Sequence, residues 1–433
     1  MSPTPGSTRT RLLRVVDPDD AMLDRLDPVD GPTLAEAATI VDAVRREGSP
    51  AVERYARRFG EIGDDDGHKS LVIERDKLNA ALRSISSGDR EMLERAAARV
   101  RSFAEAQLAC LRPLDTEVPG GRAGHALRPV AHAGCYAPGG RYPLPSSALM
   151  TVAPARVAGV REVTVATPRP SAITLAAAAI AGADRVIRVG GAHAIAALAY
   201  GLDGAVDACD VIVGPGNRWV TAAKKLVFGR VGIDGLAGPS ELLIIADHIA
   251  DPRLVAADLL AQAEHDTDSR PMLVTTDASI IDAVERELDR QLADLPTAAT
   301  AREAVLRNGF AARVESIEDA IAMSDRIAPE HLEVMVEPAL LDRVFEGVSN
   351  YGAIFLGSVS AEAFGDYGAG PNHTLPTAGA ARYASGLSVL NFVRTPTWLR
   401  LDAAAPLMSD TTRLATLEGL AAHRRSAAMR SSG

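Results

Sequence analysis

Between residues 160 and 275 one unit keeps recurring, and it restricts the fold more than any other feature of the 433 residues. A short apolar run, mostly Val and Ile, is followed by an alanine-rich stretch of helix length. EVTVATP leads to SAITLAAAAIAGA, DRVIRVGG to AHAIAALAYG, and DVIVGPGN to RWVTAAKKLVFG. A strand without polar alternation is buried on both faces, and helix-length connections return the chain to the same sheet end. Together these predict a parallel sheet of βαβ units. ELLIIAD, RPMLVTT and AIFLG, with DPRLVAADLLAQAEH and ASIIDAVERELDRQL between them, form a second series. Two series predict an α/β protein with two separate layers.

Upstream, residues 34–59 predict two helices broken at Gly48-Ser49-Pro50. Arg75 to Cys110 predicts long amphipathic helices with a break at Ser87-Gly88-Asp89, and Asp64-Asp65-Asp66 a solvated loop. Past about Ser385 the pattern is mixed, then helical through LATLEGLAAHRRSAAMR. A formal net charge of −10 gains little from counterion release, which argues against a nucleic-acid partner. The longest greasy stretch, Leu175 to Ala183, is far short of the roughly 20 residues of a membrane span. No early apolar run suits a signal peptide, and three cysteines without CxxC spacing speak against a disulfide framework. A cytoplasmic protein without membrane contact is expected.

Two strand ends run into glycine, Val189-Gly190-Gly191 and Val213-Gly214-Pro215-Gly216-Asn217. Glycine there lets a ligand approach the backbone, and free N–H groups at a helix start attract phosphate. Neither completes GxGxxG, and any α/β protein needs glycine at some such turns. Four of the nine histidines stand among other polar groups: Gln262 with His265, three apart on a helical face; Glu330 with His331; Asp366 and His373 around GDYGAGPNH; and Glu418 with His423. The last pair is predicted on one helix, about 140° apart. Imidazole, carboxylate and amide oxygen suit Zn²⁺ or a similar divalent ion. Each pair alone is common by chance. His68, His125, His132 and His248 read as ordinary loop or strand-flanking residues, and His193 opens a helix, as a ligand contact or a simple cap.

At these residues the chain resembles the histidinol dehydrogenase family. The matching runs include CYAPGGRYPLPSSALM (135–150), VGGAHAIAALAYG (189–201), VGPGNRWVTAAKKLVFG (213–229), LLAQAEHDTDS (259–269), IAPEHLEV (327–334), GDYGAGPNHTLPT (365–377) and LEGLAAH (417–423). The resemblance implies two incomplete Rossmann-like parallel-sheet domains with small N- and C-terminal helical segments. The expected division is an N-terminal segment 1–30, a first domain of 31–135 plus 241–385, a second of 136–240, and a C-terminal segment 386–433 that exchanges between the subunits of a homodimer. It implies a zinc-dependent, NAD-linked oxidation of L-histidinol to L-histidine through the aldehyde in two hydride transfers, with one Zn²⁺ per subunit, and as the alternative a paralogous oxidation of another small polar primary alcohol to its acid. Gln262, His265, Asp366 and His423 would hold the metal, His423 coming from the partner subunit. Glu330 and His331 would be the acid–base pair. Ser240, Gln262, His265, His331, Asp366, His373, Glu418 and His423 would contact substrate, and Tyr136, His193 and Asn217 the nucleotide.

A neutral histidine is a suitable base for an alcohol whose hydride is leaving, and a carboxylate beside it could deprotonate the water added to the aldehyde. His193 stands where the family most often has Gln. GCYAPGGRYPL, with Arg141-Tyr142 at the pocket loop, also resembles paralogues that oxidise other small alcohols, such as sulfopropanediol dehydrogenase. The sequence leaves open a sulfonated diol in place of histidinol, a zinc hydrolase, and a metal-stabilised binding protein without catalysis.

Overall fold

The computed structural model describes residues 11–18, 27–63, 70–139 and 143–430. The acidic run Asp64–Asp66, His68 and the Arg141-Tyr142 pair lie outside the described residues. Two six-stranded sheets carry the molecule, as the two series of apolar runs predict. Sheet I orders its strands Arg14–Val16, Phe310–Arg313, Arg270–Thr275, Glu241–Ala246, His331–Met335 and Ala353–Leu356, all parallel. Period-two alternation sorts its side chains: Leu242, Ile244 and Ala246 enter one apolar core, and Leu243 and Ile245 the opposite one. Helices cover both faces, so both are dry.

Sheet II orders Gly232–Ile233, Val211–Val213, His132–Tyr136, Glu162–Ala166, Arg185–Ile187 and Val72–Glu74, the last antiparallel. Its two cores hold Ile212 and Ile187 on one side and Val163, Val165 and Val213 on the other. The segment 31–135 belongs here, not with 241–385 as expected. Helices Gly31–Glu47 and Ser49–Arg58 bury Ile40, Val44 and Val52 in the same core as Ile195 and Ile212. The expected boundary at residue 135 falls inside the strand His132–Tyr136. An amphipathic helix shows that it has an apolar face but not which sheet will cover it. The N-terminal segment also differs from expectation, since Arg14–Val16 is an edge strand of sheet I.

Gly48 separates the first two helices as predicted, whereas the next pair breaks at Ile85-Ser86, where the Ser86 side chain accepts the Asp89 N–H. After residue 385, Val389 and Phe392 are buried in a core of sheet II, and strand Thr397–Leu401 pairs with Gly121–His125. The chain then runs into helices Ala405–Leu417 and Ala421–Ala428, between which only Ala415 is buried. All three cysteines are free, two of them buried, in keeping with the absence of a disulfide framework. Among the described residues no helix is long and apolar enough to cross a membrane.

Glycine is obligatory at the turn after Val211–Val213. Gly214 has φ of +116°, and a side chain there would run into the Tyr136 carbonyl oxygen. Gly214→Ala is expected to cost about 1–3 kcal/mol of stability; an unchanged denaturation midpoint would refute that reading of the turn.

Candidate active site

The amino ends of the central sheet I strands gather the residues the sequence singles out. Glu330 and His331 enter the strand His331–Met335 and are 6% and 5% exposed, so both titratable groups work away from bulk water. One residue of the neighbouring strand holds them both. The Glu241 N–H donates to Glu330 Oε2 at 2.9 Å, and His331 Nδ1–H donates to the Glu241 carbonyl oxygen at 3.0 Å. With Nδ1–H committed to that carbonyl, Nε2 is the ring nitrogen turned inward. That Nε2 is buried without a hydrogen-bond partner, 3.7 Å from Asp366 Oδ1.

Asp366 ends the short helix Glu362–Asp366, and its other oxygen lies 3.9 Å from His265 Nε2. The helix carrying Gln262 stops at Ala263, so His265 sits in the following turn and not on a helical face as predicted. Its N–H still donates to the Gln262 carbonyl at 3.4 Å, which keeps the two residues together. The Gln262 side chain is 1% exposed and neither its amide oxygen nor its amide nitrogen has a partner. His373 donates from Nδ1 to the Asp366 carbonyl at 3.0 Å and faces Ser147 Oγ at 3.5 Å through Nε2. Ser240, half-buried, directly precedes Glu241.

Charge dominates this cluster. Burial pushes the Glu330 carboxyl up to about 8, against the pull of His331. Burial also raises Glu362 to about 8; its Oε2 lies 3.7 Å from His331 Nδ1. For His331 burial works downward, but Glu330, Glu362 and Asp366 outweigh it and hold its pKa well above the ordinary value. Burial would raise Asp366, yet its contacts with His331 keep it below the usual carboxylate range. The desolvated His373 is lowered.

Sequence reasoning missed Glu362, Glu333, Asp258 and Glu241. Glu362 is one helical turn before Asp366, a spacing that was legible. Glu333 is an acid inside the otherwise apolar HLEVM strand, on the same side as His331, a signal in its own right. Its Oε1 accepts the Glu362 N–H at 2.7 Å, and the Asp258 carboxyl is its charged neighbour. Burial, then Asp258 and Glu362, push Glu333 up to about 9. The folded protein therefore holds a proton on Glu333 that the unfolded chain releases near its ordinary carboxylate pKa. The stability this gives is complete in acid and is lost as pH rises from about 5 to about 9. Metal-free protein is expected to melt at progressively lower temperature across that window. Glu333→Gln should flatten the slope, and an equal slope in both proteins would contradict it.

The structure leaves Glu418 and His423 apart from this cluster. They are not on one helix: Gly419, at φ +72°, ends the first C-terminal helix with Glu418 as its cap, and His423 lies on the next. Both are exposed. At sheet II, Tyr136 and His193 meet at one glycine turn. The Gly191 N–H donates to the Tyr136 phenol oxygen at 3.1 Å, and His193 pairs with Glu61 at 2.8 Å. Asn217 caps the next helix, its Oδ1 accepting from Trp219 N and Val220 N. A different group, His132, Glu162 and Asp207, also brings metal-capable atoms together. There Arg161 contacts His132 at 3.0 Å and Arg185 holds Glu162 at 2.9 Å, so guanidinium groups already meet the charge a cation would meet.

The family pattern described as histidinol dehydrogenase matches residues 29–431. A histidinol dehydrogenase of Thermus thermophilus is 46% identical over 405 residues, covering 92% of this chain and 95% of that protein. One from Methylococcus capsulatus is 44% identical over 402 residues, 90% of each. The crystal structure of histidinol dehydrogenase from Elizabethkingia anophelis superposes with a TM-score of 0.88 at 31% identity, covering 98% of both chains.

Proposed function

Because the chain belongs to the histidinol dehydrogenase family and is an oxidoreductase of that type, we propose that it oxidises L-histidinol to L-histidine through the aldehyde, with NAD as hydride acceptor and one Zn²⁺ per subunit. The observation that carries this reading is a set of buried polar atoms with no protein partner: both ends of the Gln262 amide, and His331 Nε2, which lies 3.7 Å from Asp366 Oδ1. Buried polar atoms are ordinarily hydrogen-bonded, so such orphans mark a place where something else binds. The donors fit a zinc ion: an amide oxygen from Gln262, the His265 imidazole and an Asp366 carboxylate held in its charged form, with His423 of a second subunit as the fourth. A cation held by these residues would supply a template for the substrate's amine and imidazole, and NAD, when bound, would serve as the hydride acceptor.

The chain's own residues handle the protons. In its neutral form His331 takes the hydroxyl proton on Nε2 while Nδ1–H stays on the Glu241 carbonyl, so the ring does not turn during transfer. Glu330, pushed up to about 8, exchanges a proton near neutral pH and suits the water that adds to the aldehyde. Asp366, held in its charged form, favours a substrate with a cationic amine over a sulfonated diol, as do the identities to histidinol dehydrogenases.

The arm 386–433 supports a homodimer with shared sites. Leu414 is 59% exposed and Leu417 69%, which leaves an apolar stripe uncovered by its own chain. Such an arm, laid on a second copy, would bring Glu418 and His423 to that copy's Asp366. Three free cysteines suit a reducing compartment such as the cytoplasm. The test is purified enzyme with histidinol and excess NAD. About two NADH released per histidinol supports the reading, and no release with histidinol but turnover of a sulfonated diol overturns it.

A further inference from the structure

We propose that Glu61, acting with His193, sets the preference of this chain for NAD over its 2′-phosphorylated form; the inference rests on the NAD reading above. Gly190 and Gly191 follow the strand Arg185–Ile187 and open the helix Gly191–Tyr200, a place where free N–H groups and the helix dipole would attract phosphate. Here that seat is filled from within. Glu61 Oε1 accepts the Gly190 N–H at 3.0 Å, its Oε2 takes His193 Nε2 at 2.8 Å, and the Gly191 N–H goes to the Tyr136 phenol oxygen. The carboxylate side chain is 8% exposed and the imidazole 1%, so the negative charge is fixed and poorly screened. A phosphate brought to this turn would face it directly.

The second observation comes from the other side of the imidazole. A carboxylate offers only lone pairs, so in the neutral ring the shared proton sits on Nε2 and Nδ1 is the acceptor. That Nδ1 is buried with no hydrogen-bond partner. It lies 3.8 Å from where a side chain on Gly191 would begin, a position kept bare by a φ of +61°. A lone pair there is satisfied by a hydroxyl or amino hydrogen and repels a phosphate oxygen. Both groups therefore select a ligand portion that donates hydrogen bonds and carries no phosphate. The turn lies on the Glu162–Ala166 and Arg185–Ile187 side of the switch between His132–Tyr136 and Val211–Val213. On that side, dinucleotide folds use an acidic residue to hold the ribose 2′-hydroxyl. Glu61 comes to that side of the sheet from a distant part of the chain.

The experiment is calorimetric binding of NAD and NADP, without substrate, to the full-length protein and to Glu61→Gln and Glu61→Asp. The native protein should prefer NAD by at least about tenfold, Glu61→Gln should shrink the preference to about threefold or less, chiefly by gaining NADP affinity, and Glu61→Asp should keep most of it. Equal preference in the native protein and Glu61→Gln, with NAD still bound, overturns the proposal. A native protein that binds neither dinucleotide overturns the NAD reading itself. Should Glu61→Gln fail to fold, His193→Phe removes the Nδ1 acceptor and keeps a ring beside Phe59, 5.5 Å away. NAD affinity should then fall about tenfold or more, and an unchanged affinity overturns the proposal.

Discussion

Glu330→Gln is expected to reduce histidinol turnover by about 10²- to 10⁴-fold, the range for loss of a positioned proton-transfer group. Zinc content and melting temperature should stay close to native. The substitution keeps shape, and a glutamine oxygen can still accept the Glu241 N–H that the carboxylate accepts at 2.9 Å. What is lost is a proton-exchanging group beside His331, in a place too buried for water to replace it. The loss should be heavier for the aldehyde than for the alcohol, because hydration of the aldehyde needs a base for water. Supplying each substrate separately and following single-turnover NADH formation checks this. Native rates on both, or zinc lost together with activity, would remove Glu330 from the assigned role.

His423→Ala is expected to weaken zinc retention by about 100-fold or more, since even residues that only support a metal ligand are worth 10- to 100-fold in affinity. The expectation is sharp because His423 is exposed on a C-terminal helix and contacts no expected ligand in its own chain. As a surface histidine it would change nothing. As a ligand delivered to a second subunit, its loss should show in the metal content of dialysed protein. Native zinc stoichiometry after dialysis would exclude it.

Much of this was legible in the residues. VIV, LLIIA and AIFL are continuous apolar runs because helices cover both faces of each sheet, and that pattern survives translation into sequence. Glu330, His331, Asp366 and His265 were visible as polar groups in unusual settings, and the structure brings them together. The placement of 31–135 was not legible, since the faces of Gly31–Glu47 are apolar toward either sheet. Nor was the break at Gly419, because helical periodicity runs through a single glycine. Glu61 had no signal: it is an ordinary glutamate until folding sets it on Gly190, 129 positions away.

The convergence of one zinc site from two chains is tested most directly by mixing dead variants. Asp366→Ala removes a ligand from the body of the molecule and His423→Ala one from the arm, so each homodimer should lose both zinc and turnover. In a hybrid of the two, one site pairs the intact body with the intact arm. Co-expressed or unfolded and refolded together, the mixture should regain about a quarter of native sites, in zinc and in turnover alike. A mixture as inactive and metal-poor as its components would contradict the shared site.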